Sequence, residues 1–122
     1  ISACLVGSEM CIRDSLSALT QAAAVAALRN SDVMLGMVEE IVEQRDRISA
    51  TLEALGYTPY ESWSNFVLFG GVAEPQKIWQ QLYDRGVLIR DVGIPGHLRV
   101  TAGTEAETTA FLDALASIGS AS

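Results

Sequence analysis

The sequence predicts an α/β domain of α+β character, in which one layer of helices covers a small mixed or antiparallel sheet. Alanine- and leucine-rich segments alternate with short β-branched or aromatic runs, and glycine or proline stands at many of the junctions. With 122 residues, 49% of them apolar and 19% charged, the chain is long enough for one domain with its own core.

The charge balance argues against two classes of partner. A net charge of −7 without a basic patch disfavours nucleic acid and anionic membrane surfaces. No apolar run reaches the roughly 20 residues of a membrane span, and the start lacks the basic and apolar regions of a signal peptide. We therefore expect a cytoplasmic protein whose partners are small molecules or other proteins.

Residues 1–15 do not fit the pattern of the rest of the chain. They hold both cysteines, Cys4 and Cys11, and they have neither helical nor strand periodicity. The stretch from Leu5 to Asp14 can be encoded by codons that resemble a transposon-based sequencing adapter read in frame. We expect an adapter origin for this segment, in which case the cysteines carry no redox or metal information. A native disordered arm is the alternative.

Two helices are predicted to follow. Residues 16–30 are rich in alanine and leucine, the strongest helix formers, and Ser17 is placed to cap the first turn. A second helix should run from about Asp32, as its N-cap, to Leu55, and Gly56 should end it. Its predicted apolar stripe consists of Val33, Met37, Val38, Ile41, Ile48, Leu52 and Leu55.

The middle of the chain predicts a buried strand and then a helix. The run from Asn65 to Phe69 is β-branched and aromatic, and two glycines follow it. Pro75 suits the first turn of the next helix, and Gly86 should stop it. The apolar stripe of this helix is Ile78, Trp79, Leu82 and Tyr83.

Two further strands are predicted after Gly86. Residues 87–89 form the first, residues 97–102 alternate as the second, and a loop rich in glycine and proline covers residues 91–96. A period of two places alternate side chains on opposite faces of the second strand. One face then carries Leu98, Val100 and Ala102, and the other carries His97, Arg99 and Thr101.

A capping box predicts the start of the last helix. The Thr104 hydroxyl and the Glu107 carboxylate can each accept a hydrogen bond from a free amide of the first turn. The helix should run to about Ile118. The predicted domain therefore covers residues 16–118, and residues 119–122 form a frayed tail.

Taken alone, the residues offer no obvious catalytic group. The sequence has no glycine-rich phosphate loop and no cluster of metal ligands, and its single histidine, His97, cannot build a triad or a zinc site. The single lysine, Lys77, occupies a polar position early in a helix. A solvated lysine is expected there rather than a Schiff-base lysine in a pocket.

Arg99 is the first candidate for a binding role. It projects from the centre of a strand in an apolar setting, where its charge needs an anionic partner. A guanidinium binds carboxylate or phosphate through two hydrogen bonds, so an internal acid or an anionic ligand would satisfy it. On local grounds the internal ion pair is favoured. Arg90 stands beside Asp91 at a strand end, where adjacent opposite charges are usually exposed and weakly coupled.

A resemblance to a known family alters that balance. Three segments, in this order and spacing, closely resemble the C-terminal part of histidinol-phosphate aminotransferases: Asn65-Phe-Val-Leu-Phe69, Leu82-Tyr-Asp-Arg-Gly-Val-Leu-Ile-Arg-Asp91 and Gly96-His-Leu-Arg-Val-Thr-Ala-Gly-Thr104. The likeness extends from about Leu16 to Ile118. It implies the small domain of the aspartate aminotransferase fold, in a homodimeric pyridoxal-phosphate enzyme of histidine biosynthesis. Such enzymes convert histidinol phosphate and 2-oxoglutarate to imidazole acetol phosphate and glutamate.

The resemblance also implies substrate-binding roles for three residues. Arg99 matches the family arginine that grips the anionic end of the substrate, and Arg90 matches a second arginine that helps to hold phosphate. Asn65 matches a recurrent position at the strand start, with backbone capping as its alternative role. His97 stands where the family tolerates other residues, so we expect no catalytic part for it.

The groups that hold pyridoxal phosphate in the family lie upstream of the part that this chain resembles. The Schiff-base lysine, the aspartate on the pyridine nitrogen and the phosphate-holding groups have no match here, and Lys77 matches none of them. Because the chemistry requires that lysine and aspartate, the chain alone should neither bind the cofactor tightly nor transaminate. The helix over residues 16–28 and part of the next should expose apolar surface that the large domain would cover.

Two other interpretations stay open. Another aminotransferase or decarboxylase of the same fold, acting on an aromatic or phosphorylated amino acid, could share these segments. A free-standing small-molecule-binding or regulatory α/β module, in which Arg99 senses an amino-acid carboxylate, is the alternative from a different class. An upstream reading frame with a lysine-bearing large domain would exclude the module.

Overall fold

The computed structural model describes residues 16–119. Residues 1–15, with the predicted adapter-derived or disordered segment, and residues 120–122 of the predicted tail lie outside the described residues. The chain divides into two compact units between Gly36 and Met37. The helices are α1 (Ala18–Arg29), α2 (Ser31–Ala54), α3 (Pro75–Tyr83) and α4 (Glu105–Gly119), and the strands are β1 (Thr58–Pro59), β2 (Phe66–Gly70), β3 (Arg90–Asp91) and β4 (Leu98–Thr101).

Helix α1 belongs to the first unit and is capped as the sequence predicts. The Ser17 side chain accepts a hydrogen bond from the Thr20 amide at 3.1 Å, which satisfies one of the free donors of the first turn. No residue of α1 is buried, and Leu19 and Leu28 are 81% and 73% exposed. The apolar surface predicted for this helix is therefore present.

Helix α2 buries only part of its predicted apolar stripe. It begins at Ser31, so Asp32 lies in the first turn and the prediction of Asp32 as the N-cap is wrong. Ile48 and Leu52 are fully buried, and Ile41 packs against the core. The remaining stripe residues, Val33, Met37, Val38 and Leu55, are exposed.

Glycine ends α2 and α3 in the same way. Gly56 and Gly86 have φ values of 86° and 79°, in the left-handed region that glycine adopts without strain. The amide of the residue after each glycine donates to a carbonyl in the last turn, Leu52 in α2 at 3.0 Å and Leu82 in α3 at 2.9 Å. These are Schellman bonds, and both predicted helix stops are confirmed.

The strands form one antiparallel sheet in the order β1-β2-β4-β3. Val67 and Phe69 of β2 and Leu98 and Val100 of β4 are buried on one face of this sheet. They share the core with Ile48, Leu52, Leu82, Phe111, Leu112, Leu115 and Ile118 of the helices. The α/β class of α+β character, with a small antiparallel sheet covered by helices, is confirmed, and so is the predicted alternation of β4.

The strand predicted at residues 87–89 is wrong. Val87 and Ile89 pack against the core and Leu88 is 75% exposed, so the segment alternates like a strand. Its Ile89 carbonyl instead accepts a hydrogen bond from Trp79 Nε1 at 3.0 Å, and the ladder to β4 begins only at Arg90. The short strand is therefore Arg90–Asp91, and the predicted loop loses its first residue to it.

Strand β1 was not predicted from the sequence. Thr58 pairs with Gly70 and Pro59 with Phe69. A proline is tolerated in an edge strand because its missing amide can face away from the ladder. The pairing depends on residues of β2 that lie ten and twelve positions further along the chain, and not on a local β pattern.

The capping box at the start of α4 is confirmed. The Thr104 amide and hydroxyl each donate to Glu107 Oε2 at 2.9 Å, and the Glu107 amide donates to Thr104 Oγ1 at 3.4 Å. These two donors, the backbone amide first, hold the pKa of Glu107 below its ordinary value. The helix extends to Gly119, one residue beyond the predicted end.

Candidate functional site

The sheet face opposite the core carries the candidate site, and we call it the open face. It consists of Tyr60, Phe66, Leu68, Arg90, His97, Arg99 and Thr101, none of which is fully buried. Alternation along β2 and β4 places their side chains there, because the neighbouring residues face the core. Pairing of Arg90 with Arg99 and the bond from the Tyr60 amide to the Leu68 carbonyl add the other two residues. The open face therefore combines two cations with aromatic and aliphatic surface.

Arg90 and Arg99 are direct cross-strand partners on the open face. Side chains so paired have their Cβ atoms about 5 Å apart, and like charges in this arrangement repel. In the part of the chain that the structure describes, the ion pairs are Arg45–Asp46 at 2.7 Å and Lys77–Glu74 at 2.9 Å, and neither includes these two arginines. The internal ion pair favoured for Arg99 on local grounds is therefore wrong.

Arg99 packs against an aromatic ring instead of a carboxylate. Its Cζ atom lies 4.8 Å from the centroid of the Phe66 ring, within the range of a cation–π contact. Its Nε is buried and has no hydrogen-bond partner within residues 16–119. The positive charge of Arg99 is thus stabilised by a ring face and has no counterion among residues 16–119.

Arg90 is exposed, and its sequence neighbour does not neutralise it through a close contact. Asp91 uses its Oδ1 to accept a hydrogen bond from the Gly93 amide at 2.8 Å, which holds the loop in an Asx turn. This oxygen of the carboxylate thus stabilises the loop, and the described residues show no ion pair between Asp91 and Arg90. Both arginines remain able to bind an external anion.

Asn65 immediately precedes the start of β2, away from the arginine pair. Its carbonyl accepts a hydrogen bond from the Ala102 amide at 2.8 Å, which extends the ladder beyond the strand. Arg99 is opposite Leu68, so Asn65 stands three residues, or roughly 10 Å, further along the strand. The structure therefore brings Arg90 and Arg99 together and leaves the exposed Asn65 outside the open face, because alternation places it on the side of Val67.

His97 and Tyr60 form a second pair on the open face. The Nδ1 of His97 lies 2.7 Å from the Pro95 carbonyl, which only accepts, so Nδ1 carries the proton. In the neutral ring Nε2 is then the acceptor for the Tyr60 hydroxyl at 3.0 Å. The two rings stack at 5.6 Å. The ring of His97 also lies close to Gly70, and a Cβ added at Gly70 by substitution would be 3.0 Å from His97 Nε2.

The residues that the structure describes do not fit a pyridoxal-phosphate anchor. Lys77 is exposed and pairs with Glu74 at 2.9 Å, whereas a Schiff-base lysine must lose its proton in a desolvated pocket.

Within residues 16–119, no group of histidine, cysteine or acidic side chains could hold a metal ion. In the same residues no helix combines the length and the apolar character that crossing a bilayer requires.

Phe66 and the pair of Tyr60 with His97 were not found by sequence reasoning. Alternation along β2 already separates Phe66 and Leu68 from the buried Val67 and Phe69, and this was the available signal. The contacts themselves depend on register, which the sequence does not supply.

The chain is similar to known aminotransferases. The sequence model of the family described as aminotransferase class I and II matches residues 5–115. Histidinol-phosphate aminotransferases of Paenarthrobacter aurescens and Streptomyces avermitilis are 62% and 56% identical over 100 residues, 82% of this chain. The structure of histidinol-phosphate aminotransferase from Sinorhizobium meliloti in complex with pyridoxal-5'-phosphate has a TM-score of 0.74 at 26% identity, over 91% of this chain and 34% of that one. This chain spans 27% of the length of the two sequence relatives.

Proposed function

Because the chain belongs to the class I and II aminotransferase family, we propose that it is the C-terminal part of a histidinol-phosphate aminotransferase. The complete enzyme would transfer an amino group from histidinol phosphate to 2-oxoglutarate, giving imidazole acetol phosphate and glutamate. The names of the relatives support this substrate. Another aminotransferase or decarboxylase of the same fold is the alternative.

The observation that carries the proposal is the pair of arginines without carboxylate partners on the open face. Two guanidinium groups paired across strands repel each other until an anion lies between them. A phosphate accepts several hydrogen bonds at once from such donors, and a carboxylate binds one guanidinium in a bidentate manner. One site can therefore serve both histidinol phosphate and 2-oxoglutarate, which present a phosphate and a carboxylate.

In this proposal the chain binds and orients the substrate and does not perform the chemistry. Arg99 and Arg90 hold the anionic end, which fixes how far the amino group stands from the sheet. Asn65 precedes β2 on the side of the strand away from the two arginines, and its contact with substrate stays a separate prediction. Pyridoxal phosphate, when bound to the complete enzyme, supplies the electron sink for amino transfer. Since Lys77 does not fit its anchor, the cofactor would be held by another part of the protein.

Kinetics of the complete enzyme test the substrate-binding role. Arg99→Gln should raise KM for histidinol phosphate by roughly tenfold to a hundredfold, because a charge-assisted pair contributes about 1.5–3 kcal/mol. Arg85→Gln is the matched control, since Arg85 is exposed and donates to the Gln81 carbonyl in α3. Equal KM values for wild type and Arg99→Gln would contradict the assignment.

The purified chain tests the division of labour. It should show no cofactor absorbance band with pyridoxal phosphate and no amino transfer, because the anchoring lysine is missing. Cofactor binding or amino transfer by the purified chain would contradict the proposal.

A homodimeric assembly and a cytoplasmic location, which the resemblance and the sequence imply, are predictions for the complete enzyme. Sedimentation would check the assembly, and cell fractionation would check the location.

A further inference from the structure

We propose that Phe66 is a positioning residue that fixes the guanidinium plane of Arg99 for anion binding. The inference rests on the proposed function, because it assigns a role within the same substrate-anion site. It follows from the contact between the Phe66 ring and Arg99 Cζ at 4.8 Å, and from the lack of a counterion for Arg99 in the described residues.

The sheet holds the Phe66 ring in a fixed place relative to Arg99. Phe66 is opposite Thr101 and Arg99 is opposite Leu68, so the two side chains are diagonal neighbours on the open face. Diagonal pairs are within reach of aromatic and long side chains. Phe66 is half-buried at the start of β2, and its position is therefore set by the ladder and not by a mobile loop.

A ring can orient the guanidinium without using its hydrogen-bond donors. The ring quadrupole attracts the cation, while the N–H groups stay in the guanidinium plane and point past the ring. Since Nε is buried without a partner, the accessible donors are those of the two terminal nitrogens. These form the edge that binds an incoming anion.

A carboxylate in the place of Phe66 would orient Arg99 but would also neutralise it. An internal ion pair satisfies the donors that an external anion needs, and the ligand would have to displace it. Arg90, the cross-strand partner, repels Arg99 and would push its side chain away from the sheet if no contact held it. The contact with the Phe66 ring holds the Arg99 side chain in place and leaves its charge free to bind an external anion.

Binding of inorganic phosphate to the 122-residue chain, followed by NMR, tests the proposal. We compare wild type with Phe66→Leu, which removes the ring, and Phe66→Tyr, which keeps it. Trp63→Leu is the matched control, because it removes an aromatic ring that is 87% exposed and lies outside the sheet. The readouts are the phosphate affinity and the ring-current shift of the Arg99 side-chain protons.

Phe66→Leu should weaken phosphate binding roughly threefold to tenfold, as expected for a half-buried cation–π contact. It should also abolish the upfield ring-current shift of Arg99. Phe66→Tyr and Trp63→Leu should retain the wild-type affinity and the Arg99 shift. Unaltered affinity in Phe66→Leu, or an unshifted Arg99 in wild type, would overturn the role of Phe66.

The two readouts separate this inference from the proposed function. If the wild-type chain bound no phosphate while Arg99 kept its upfield shift, the proposed anion-binding function would be contradicted. The contact between Phe66 and Arg99 would still be supported. A thermal unfolding curve for each variant shows whether a lost affinity comes from a lost fold. The proposal is supported if the Phe66→Leu variant is folded and binds phosphate weakly, whereas the Phe66→Tyr variant binds phosphate as tightly as wild type.

Discussion

The contact between Gly70 and His97 makes a quantitative prediction about the open face. Replacing Gly70 with alanine would place a Cβ 3.0 Å from His97 Nε2 and 3.2 Å from Cδ2. The backbone itself tolerates alanine, because Gly70 is not among the residues with positive φ. The substitution therefore sets one favourable effect against one unfavourable effect.

The two effects are of similar size. Alanine restricts the unfolded chain, which should stabilise the fold by about 0.4–1 kcal/mol. The imidazole must move away from the new methyl group, and this weakens its bond with the Tyr60 hydroxyl, now 3.0 Å, at a cost of about 0.5–1.5 kcal/mol. Gly70→Ala alone should therefore change stability little, whereas in the His97→Ala background it should stabilise by the full backbone term.

A double-mutant cycle measures this difference. Wild type, Gly70→Ala, His97→Ala and the double variant are unfolded in urea, and the interaction free energy is taken from the four values. We expect about 0.5–1.5 kcal/mol, because the two residues are in contact. An interaction below about 0.3 kcal/mol would refute the reasoning, since that is the scatter of independent sites.

Three further predictions concern the core, the capping box and the lysine. Leu115→Ala should lower the free energy of unfolding by about 2–5 kcal/mol, because Leu115 is fully buried, and a loss below about 1 kcal/mol in urea unfolding would contradict this. Glu107→Gln should remove an acid-sensitive part of stability. Because the Thr104 donors lower the pKa of Glu107, its contribution is complete above the ordinary value of 4.5 and is lost as the pH falls through the lowered pKa. The urea midpoints of wild type and Glu107→Gln should converge over that acidic window, and a difference independent of pH would count against the capping box. Lys77→Gln should leave both the urea midpoint and phosphate binding unchanged, because its ion pair with Glu74 is exposed on both sides. A measurable loss of phosphate affinity would place Lys77 in the site after all.

Features set by neighbours in sequence were predictable. The Ser17 cap, the box of Thr104 and Glu107 and the stop at Gly56 each depend on residues within one helical turn. The alternation of β4 was predictable for the same reason, since a period of two needs no partner strand.

Features set by pairing across the chain were not predictable from one sequence. The contact of Tyr60 with His97 joins residues 37 positions apart, and the pairing of Arg90 with Arg99 follows from the register of β3 on β4. A shift of one residue would have moved every side chain of β3 to the other face. For this reason local reasoning favoured an internal ion pair for Arg99, and the structure gives it a second arginine and a phenylalanine ring.

The pair of Arg90 and Arg99 is placed where its repulsion costs the fold least. A like-charge pair lowers sheet stability by up to about 1 kcal/mol. On the open face solvent screens part of that repulsion, whereas on the core face the two charges would also lose their hydration. The large apolar side chains of β2 and β4 that are fully buried, such as Phe69 and Leu98, lie on the other face and hold the sheet against the helices independently of the arginines. The sheet can therefore carry two unneutralised arginines on its open face, because the packing of its core face stabilises it.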